Sequence, residues 1–379
     1  MKIDPFAMER MQSTWENLVE MDMSESGVRP VTLRELAGMG LDLDSILDMP
    51  LGYSQSNGTI ALRETLAVHY PGATADHIEV TNGTSEANYL LALNLLRAGD
   101  VVAFQVPNYM QLWELPRSLG ATVRPFRLRI DHDWEPDWEE FEAAVTAQTR
   151  VVYLSNPNNP TGSVLSPEAM RRIVARCEAV GAWLVADEVY QGAEIHCPRT
   201  PSFWGMSDRV IVTSGLSKAY GIPGVRIGWI AGPREIVADC WTQHDYLTIG
   251  PNKISDAVAR VAVEPNNRER LYARTRAILQ ENLPAMREWV DSFGSFLTFR
   301  EPKAGALCLV RYASASPSLE IAERVDGEVR QIQPVVQYVT ALYRHFGVQS
   351  RAQLIARVLQ RLTRAPATGR NGAGRDSQP

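Results

Sequence analysis

The chain has 379 residues, 45% of them hydrophobic and 22% charged, and this composition excludes a protein that is disordered over most of its length. The net charge of −6 makes nucleic acid a poor principal partner, and no apolar run reaches the roughly 18 residues of a membrane-spanning helix. The first residues resemble no secretion signal, the four cysteines form no CxxC pair, and the six histidines show no metal-ligand spacing. We therefore expect a cytoplasmic protein without disulfides or a bound metal.

The middle of the chain alternates between helices and short apolar strands. In chain order, the sequence predicts a helix over 60–69, a strand over 77–81, a helix over 85–97, strands over 101–104 and 150–154, a helix over 167–180, and strands over 183–187 and 209–213. The helix at 167–180 has the best-defined start, because Ser166 is a good N-cap and Pro167 suits the first helical position. Continuous apolar strands separated by helices are typical of a mostly parallel sheet covered by helices on both faces.

Beyond residue 251 the pattern changes, which indicates a second, smaller α+β domain. Helices are predicted over 252–263 and 267–292, followed by strands over 296–299 and 307–310. The resulting α/β organisation is a three-layer αβα large domain, a small domain shorter than usual, and a tail. The predicted segments are 1–48 (an N-terminal part of the small domain), 49–250 (large domain), 251–325 (small domain), 326–364 (helical tail) and 365–379 (disordered).

One lysine stands where chemistry is expected. Lys218 comes just after a buried strand, among small residues, and eight positions before Arg226 in a glycine-rich stretch. A lysine amine can form a Schiff base with an aldehyde cofactor, and an arginine fork can hold a phosphate. Taken alone, Lys218 is more simply explained as a solvated lysine in a loop.

Two other motifs follow strands in the same way. Asp187 ends a strand at the edge where open α/β sheets bind ligands, and a carboxylate there can keep a pyridine nitrogen protonated. Gly83, Thr84 and Ser85 lie between a strand and a helix N-terminus, where amides and hydroxyls bind phosphate. Each motif alone is also explained by an ordinary N-cap.

Together these motifs resemble the fold-type-I, pyridoxal-phosphate-dependent aminotransferases of class I and II, over about residues 20–312. The resemblance implies pyridoxal 5′-phosphate as cofactor and Lys218 as both the Schiff-base lysine and the proton shuttle. It implies that Asp187 pairs with the pyridine nitrogen, that Asn159 and Tyr190 hydrogen-bond the phenolic oxygen of the ring, and that Tyr109 stacks on the ring.

The same resemblance assigns the cofactor phosphate and the assembly. The phosphate ligands it implies are Gly83, Thr84, Ser85, Ser217 and Arg226. It also implies a homodimer, in which Tyr53 reaches the phosphate of the neighbouring subunit. The implied reaction moves an amino group from an amino acid to a 2-oxo acid.

Within the family, Ser26-Gly27-Val28 and Asp245-Tyr246-Leu247-Thr248 are similar to capreomycidine synthase-like proteins. That branch acts by elimination and cyclisation on an arginine-derived amino acid, which gives an alternative reaction. The chain departs from the family at Gly215, where a phosphate-binding Ser or Thr is usual, so that contact is lost or passes to Ser214. The strand with the arginine that clamps the substrate carboxylate is also not recognisable, so we expect weak activity. We place the end of the family pattern at about residue 325.

The C-terminal tail has a different character. From Arg330 to Pro379 the net charge is +7, against −13 for the rest of the chain. Residues 343–354 are similar to part of a LuxR-type helix-turn-helix domain, in which the preceding helix, here about 334–346, enters the DNA major groove. A DNA-binding regulator is therefore a third hypothesis, and an amphipathic tail or a gene-fusion remnant is the alternative.

Overall fold

The computed structural model describes residues 3–18 and 25–314. The predicted helical tail, the disordered end and the resemblance to a DNA-binding domain lie outside these residues and stay predictions. The chain divides into two compact units, one of Met1–Pro284 with Arg300–Leu309 and one of Ala285–Phe299 with Val310–Pro379. The domain boundary predicted at residue 250 also stays a prediction.

An eight-stranded sheet forms the centre of the first unit. Its strands are β1 (Ile78–Thr81), β2 (Val101–Val106), β3 (Thr122–Arg129), β4 (Glu135–Pro136), β5 (Thr149–Ser155), β6 (Trp183–Asp187), β7 (Val210–Gly215) and β8 (Gly228–Ala231). Their order across the sheet is β1-β8-β7-β6-β5-β2-β3-β4. Only β8 with its two neighbours and β4 with β3 pair antiparallel, so the prediction of a mostly parallel sheet is confirmed.

Helices cover both faces of this sheet. The helices of the described residues are α1 (Ala7–Trp15), α2 (Leu33–Ala37), α3 (Leu43–Leu47), α4 (Ile60–Ala67), α5 (Thr84–Leu95), α6 (Gln111–Ser118), α7 (Trp138–Ala144), α8 (Pro167–Val180), α9 (Arg234–His244), α10 (Lys253–Val263) and α11 (Pro265–Asp291), the last of which ends in the second unit. Alternate strand residues enter two separate apolar clusters: Val151 and Tyr153 pack with α5, whereas Val152 and Leu154 pack with α8. This alternation is the period of a strand buried on both sides, and it produces the three-layer arrangement. No helix within the described ranges is long and apolar enough to cross a membrane.

The start and end of α8 show how closely local sequence determines this helix. The Ser166 hydroxyl accepts a hydrogen bond from the Ala169 amide at 3.1 Å, and Pro167 is the first helical residue. Gly181 ends the helix in the left-handed region at φ 74°, a conformation that glycine adopts without strain. The predicted boundaries of this helix are confirmed.

The described part of the second unit contains a short antiparallel ribbon of β9 (Leu297–Phe299) and β10 (Val310–Tyr312). The strand predicted over 307–310 is wrong, because only its last residue is in β10. The preceding residues, 300–309, belong to the first unit, where the amides of Lys303 and Ala304 donate to the carbonyl of Gly162. These bonds tie residues 303 and 304 to the first unit, and residues 307–309, which follow, are in no strand.

Candidate active site

The carboxyl ends of three neighbouring strands bring the predicted site residues together. In the register of the sheet, Ser155 of β5 pairs with Asp187 of β6, and Asp187 pairs with Thr213 of β7. Asn159 follows β5, Tyr190 follows β6, and Ser217 and Lys218 follow β7. Parallel strands place their carboxyl ends at one edge of a sheet, which is where ligands bind in open α/β folds.

Asp187 is the buried acid of this edge. It is 8% exposed, and its Oδ1 accepts a hydrogen bond from the Val189 amide at 3.0 Å. Burial raises the pKa of Asp187 to about 6, although the Val189 amide, the Asn88 side chain and the positive charge of Lys218 each oppose that rise. An additional cation beside this carboxylate would favour its ionised form, as a protonated pyridine nitrogen does.

Lys218 is held by a segment that sequence reasoning missed. Its Nζ donates to Oε1 of Glu25 at 2.9 Å and to the Ser26 hydroxyl at 2.8 Å, and its side chain is 22% exposed. In the sequence Ser26 is only part of a family resemblance, and Glu25 has no predicted role. No periodicity or spacing connects residues so far apart in the chain, so the contact had no signal in the sequence.

Two tyrosines enclose the same space. The Tyr190 hydroxyl donates to the Ser26 carbonyl at 3.3 Å, and the Tyr109 hydroxyl donates to Oε1 of Glu9 at 2.8 Å. Burial raises the pKa of both phenols, and the charge of Asp187 acts on each of them. The ring of Tyr109 also contacts the ring of Phe6, with centroids 5.2 Å apart. The N-terminal segment therefore borders the site through both a carboxylate and an aromatic ring.

The implied phosphate site is formed by a turn and an arginine. Gly83, at φ 87°, connects β1 to the start of α5, and a Cβ atom there would collide with the guanidinium of Arg226. Arg226 itself has the left-handed φ of 52°, which is uncommon for a side chain that is not glycine. Its guanidinium donates only to carbonyls of Pro223 and Asn82, so within the described ranges no carboxylate neutralises it.

A buried hydroxyl completes this cradle. Oγ1 of Thr84 is inaccessible to solvent and has no hydrogen-bond partner among the described residues. A Cβ atom on Gly215 would lie 2.5 Å from that oxygen, so the Thr84 hydroxyl occupies the space of the side chain that the family usually has at position 215. An unpaired buried hydroxyl is costly, and a phosphate oxygen would satisfy it. The residues present therefore fit pyridoxal phosphate.

Three of the remaining predicted residues lie near the buried site residues in the chain or in space, and one does not. Ser85 and Ser217 are half-buried beside Thr84 and Lys218 in the chain, and Asn159 binds through its backbone amide to the Ser155 hydroxyl at 3.4 Å. Tyr53 is 92% exposed and takes no part in this buried group. In the part of the chain that the structure describes, no cluster of three or more acidic, histidine or cysteine side chains could hold a metal ion.

Comparison with known proteins gives a consistent result. A sequence profile described as aminotransferase class I and II matches residues 48–352, so the resemblance reaches beyond residue 325, where the sequence analysis placed its end. A capreomycidine synthase from Streptomyces vinaceus is 30% identical over 80% of this chain and 78% of its own length. An arginine–pyruvate transaminase from Pseudomonas aeruginosa is 28% identical over 67% and 69%. The crystal structure of a PLP-dependent aminotransferase from Streptococcus suis has a TM-score of 0.80 and 26% identity, and the match covers 96% of this chain and 97% of that one.

Proposed function

Since the chain belongs to the class I and II aminotransferases, enzymes that use pyridoxal phosphate, we propose that Lys218 is the residue to which the cofactor attaches. The protein is an aminotransferase, with amino acids and 2-oxo acids as its substrates. The observation that carries the assignment of Lys218 is the shared strand edge. The register pairs Thr213 of β7 with Asp187, which is buried at the end of β6, and Lys218 follows β7 in the chain.

The residues around Lys218 have separate tasks. Thr84, through its unpaired hydroxyl, and Arg226, through its unneutralised guanidinium, hold the phosphate together with Gly83, Ser85 and Ser217. Asp187 would pair with the pyridine nitrogen, and Tyr109 would stack on the ring. Asn159 and Tyr190 would bind the phenolic oxygen of the cofactor. When bound, the cofactor supplies the electron sink that lets the substrate α-carbon lose a proton.

Proton transfer is the task of Lys218 itself. Its Nζ takes the proton from the substrate α-carbon, which requires the amine to be free and correctly placed. Ser26 and Glu25 fix the position of Nζ by accepting its two hydrogen bonds, at 2.8 and 2.9 Å. The buried side chain of Tyr190 limits the access of water to this part of the site.

One feature of the site favours a cationic substrate, which agrees with amino transfer from arginine and with the second candidate reaction, elimination and cyclisation of an arginine-derived amino acid. Glu25 and Glu9, both from the N-terminal segment, direct carboxylates at Lys218 and Tyr109. A carboxylate at the site entrance attracts a cationic side chain and repels an acidic one. The two relatives described above carry capreomycidine and arginine in their names, and this agrees with a guanidinium substrate.

The two reactions differ in their products. Purified protein with pyridoxal phosphate is incubated with arginine, hydroxylated arginine, alanine or valine, with and without pyruvate. Amino transfer predicts a 2-oxo acid that forms only when the amino acceptor is present. Cyclisation predicts loss of water from hydroxylated arginine without an acceptor. No change in any amino acid, and no visible absorbance from bound cofactor, would contradict both.

We infer a homodimer from an exposed apolar surface. Leu47, Leu51, Tyr53 and Tyr246 are each at least 80% exposed. The two segments that carry them are joined, since the Trp241 indole donates to the Ser56 hydroxyl at 2.6 Å. Apolar surface of this extent marks a protein–protein contact more often than open solvent. In such a dimer Tyr53 reaches the partner's phosphate site. We place the enzyme in the cytoplasm, in keeping with its four free cysteines.

A further inference from the structure

A buried histidine lies behind the turn that is assigned to the phosphate. His244 is the last residue of α9 and is fully buried. Its Nδ1 lies 2.8 Å from Oε1 of Glu79 on β1, and its Nε2 lies 3.1 Å from Oε2 of Glu86 in the first turn of α5. The imidazole thus joins the strand that enters the turn to the helix that leaves it.

Glu86 connects His244 to Asn82, the first residue of the turn. Its Oε2 accepts hydrogen bonds from the backbone amide of Asn82 at 2.6 Å and from the Asn82 side chain at 3.1 Å. Its Oε1 accepts from the Thr248 hydroxyl at 2.8 Å, which lies 3.1 Å from Nε2 of His244. The carbonyl of Asn82 in turn accepts a long hydrogen bond from Arg226, at 3.5 Å. A continuous chain of polar contacts therefore runs from His244 to the arginine of the phosphate site.

The charges in this group favour a cationic imidazole. Burial disfavours charge on His244, but the hydrogen bonds and negative charges of Glu79 and Glu86 outweigh it and raise the pKa of His244 to about 9. Burial raises the pKa of Glu79 to about 7. Burial also raises the pKa of Glu86, but the hydrogen bonds from His244, Asn82 and Thr248 outweigh this effect and lower the pKa of Glu86 to about 2. The other titratable groups that act on Glu79 are Arg63 of α4 and Cys240 of α9.

Buried charges of this kind are a weak source of stability. Their desolvation offsets much of the mutual attraction, and apolar residues of similar volume would often stabilise a fold as well or better. What the group supplies is geometry, because the backbone and side-chain amides of Asn82 and both carboxylate oxygens of Glu86 have partners at defined distances. Oε2 of Glu79, by contrast, is buried without a partner among the described residues.

We propose that His244 is a positioning residue that, through Glu86 and Asn82, holds the Asn82–Thr84 turn and Arg226 in the arrangement that binds the cofactor phosphate. The inference rests on the proposed function, which assigns that turn to pyridoxal phosphate. His244 touches neither cofactor nor substrate in this role. Its loss is expected to weaken cofactor binding and also to destabilise the fold, because Glu79 and Glu86 would lose their buried cationic partner.

The test uses His244→Gln, which removes the cation but retains an amide that can hydrogen-bond. The matched control is His69→Gln, because Nε2 of His69 also makes one short contact, 2.7 Å to the Val263 carbonyl, away from the turn. The dissociation constant for pyridoxal phosphate, the phosphorus NMR shift of the bound phosphate and the melting temperature of cofactor-free protein are measured for each. We expect about 10- to 100-fold weaker cofactor binding and a moved phosphorus resonance in His244→Gln only, since hydrogen bonds to charged groups contribute at this level.

A second variant covers the case in which His244→Gln does not fold. Thr248→Val removes only the hydroxyl that links His244, Glu86 and the Asn82 side chain, whose Nδ2 donates to it at 2.6 Å, and we expect it to weaken cofactor binding several-fold with the same change of phosphorus shift. Cofactor affinity and phosphorus shift unchanged in the folded variants, or equally altered in His69→Gln, would overturn the positioning role alone. A wild-type protein that binds no pyridoxal phosphate would overturn the proposed function together with this inference.

Discussion

Nζ of Lys218 donates a hydrogen bond to Oε1 of Glu25 over 2.9 Å, although 193 residues separate the two in the chain. The contact brings an N-terminal carboxylate to the amine on which the proposed chemistry depends. Glu25 is 44% exposed at its side chain, so it can also face a substrate. A carboxylate in this place is expected to discriminate among substrates by their charge.

Substitution of Glu25 by Gln tests that discrimination. The amide keeps the size of the side chain and one acceptor oxygen but removes the charge. We expect kcat/KM for arginine to fall about 10-fold, the size of one charge-assisted hydrogen bond, while kcat/KM for alanine changes less than about 2-fold. Glu16→Gln, on an exposed part of the same N-terminal segment, is the control. Equal losses of kcat/KM for arginine and alanine would contradict a role in substrate selection and would show that Glu25 only positions Lys218.

Substitution of Gly83 by Ala tests the phosphate cradle. The new Cβ would collide with Arg226, and the residue would keep a positive φ, so we expect cofactor affinity to fall by at least about 10-fold. Gly72→Ala is a matched control: Gly72 has φ 80°, but its Cβ would have open space around it. Gly72→Ala should lose about 1 kcal/mol of unfolding free energy, and Gly83→Ala at least as much, because φ 87° with ψ 161° is a conformation that glycine alone adopts readily. A similar loss of cofactor affinity in both would show that backbone strain alone is responsible.

Substitution of Asp187 by Asn separates stability from function. The pKa of Asp187 is raised from 3.8 to about 6 in the cofactor-free fold, so its ionisation is disfavoured and stability falls as pH rises through this interval. Asn does not ionise. We therefore expect cofactor-free Asp187→Asn to gain up to about 3 kcal/mol over wild type at pH 8 and nothing from this source below pH 4.

The same variant should lose activity, by about 100-fold or more, because the buried charge opposite the ring is gone. Urea unfolding at pH 4 and pH 8 and steady-state kinetics at pH 8 measure the two effects. A variant that is less stable than wild type at pH 8, or fully active, would contradict the role given to Asp187.

Mixed dimers test whether Tyr53 acts across the interface. Tyr53→Phe should weaken cofactor binding about 10-fold through loss of one hydrogen bond to phosphate. Co-expression of Tyr53→Phe and Lys218→Ala chains with different tags yields heterodimers. If Tyr53 reaches the partner's site, one site of each heterodimer contains both native side chains and binds cofactor with wild-type affinity. Wild-type affinity in neither site would place Tyr53 in its own subunit's site, and a Tyr53→Phe homodimer of unchanged cofactor affinity would place Tyr53 outside the site.

The sheet and its helices were largely predictable because their residues carry local signals. The cap at Ser166 and the apolar runs of β2, β5 and β6 predict their elements to within a few residues. β8 was not predicted, because Gly228–Ala231 is short and lies in a glycine-rich stretch that has no clear strand pattern. Its antiparallel pairing with β1 and β7 depends on tertiary packing, which no local pattern records.

The site was predictable where motifs follow strands and unpredictable where distant segments meet. Asp187 and Lys218 are read from strand ends, but Glu25 reaches Lys218 only through the path of the folded chain. The Thr84 hydroxyl lies where a side chain at position 215 would be, and this contact also depends on the path of the folded chain. His244 was considered only as a metal ligand, because its partners Glu79 and Glu86 are more than 150 residues earlier in the sequence.

The assignment of the cofactor lysine can be measured directly, because the sequence contains only four lysines, Lys2, Lys218, Lys253 and Lys303. Protein incubated with pyridoxal phosphate is reduced with borohydride, digested and analysed by mass spectrometry, beside Lys218→Ala and Lys253→Ala proteins. We predict a single modified peptide that contains Lys218, present in Lys253→Ala and absent from Lys218→Ala. Modification at another lysine with Lys218 untouched, or no modified peptide at all, would contradict the assignment.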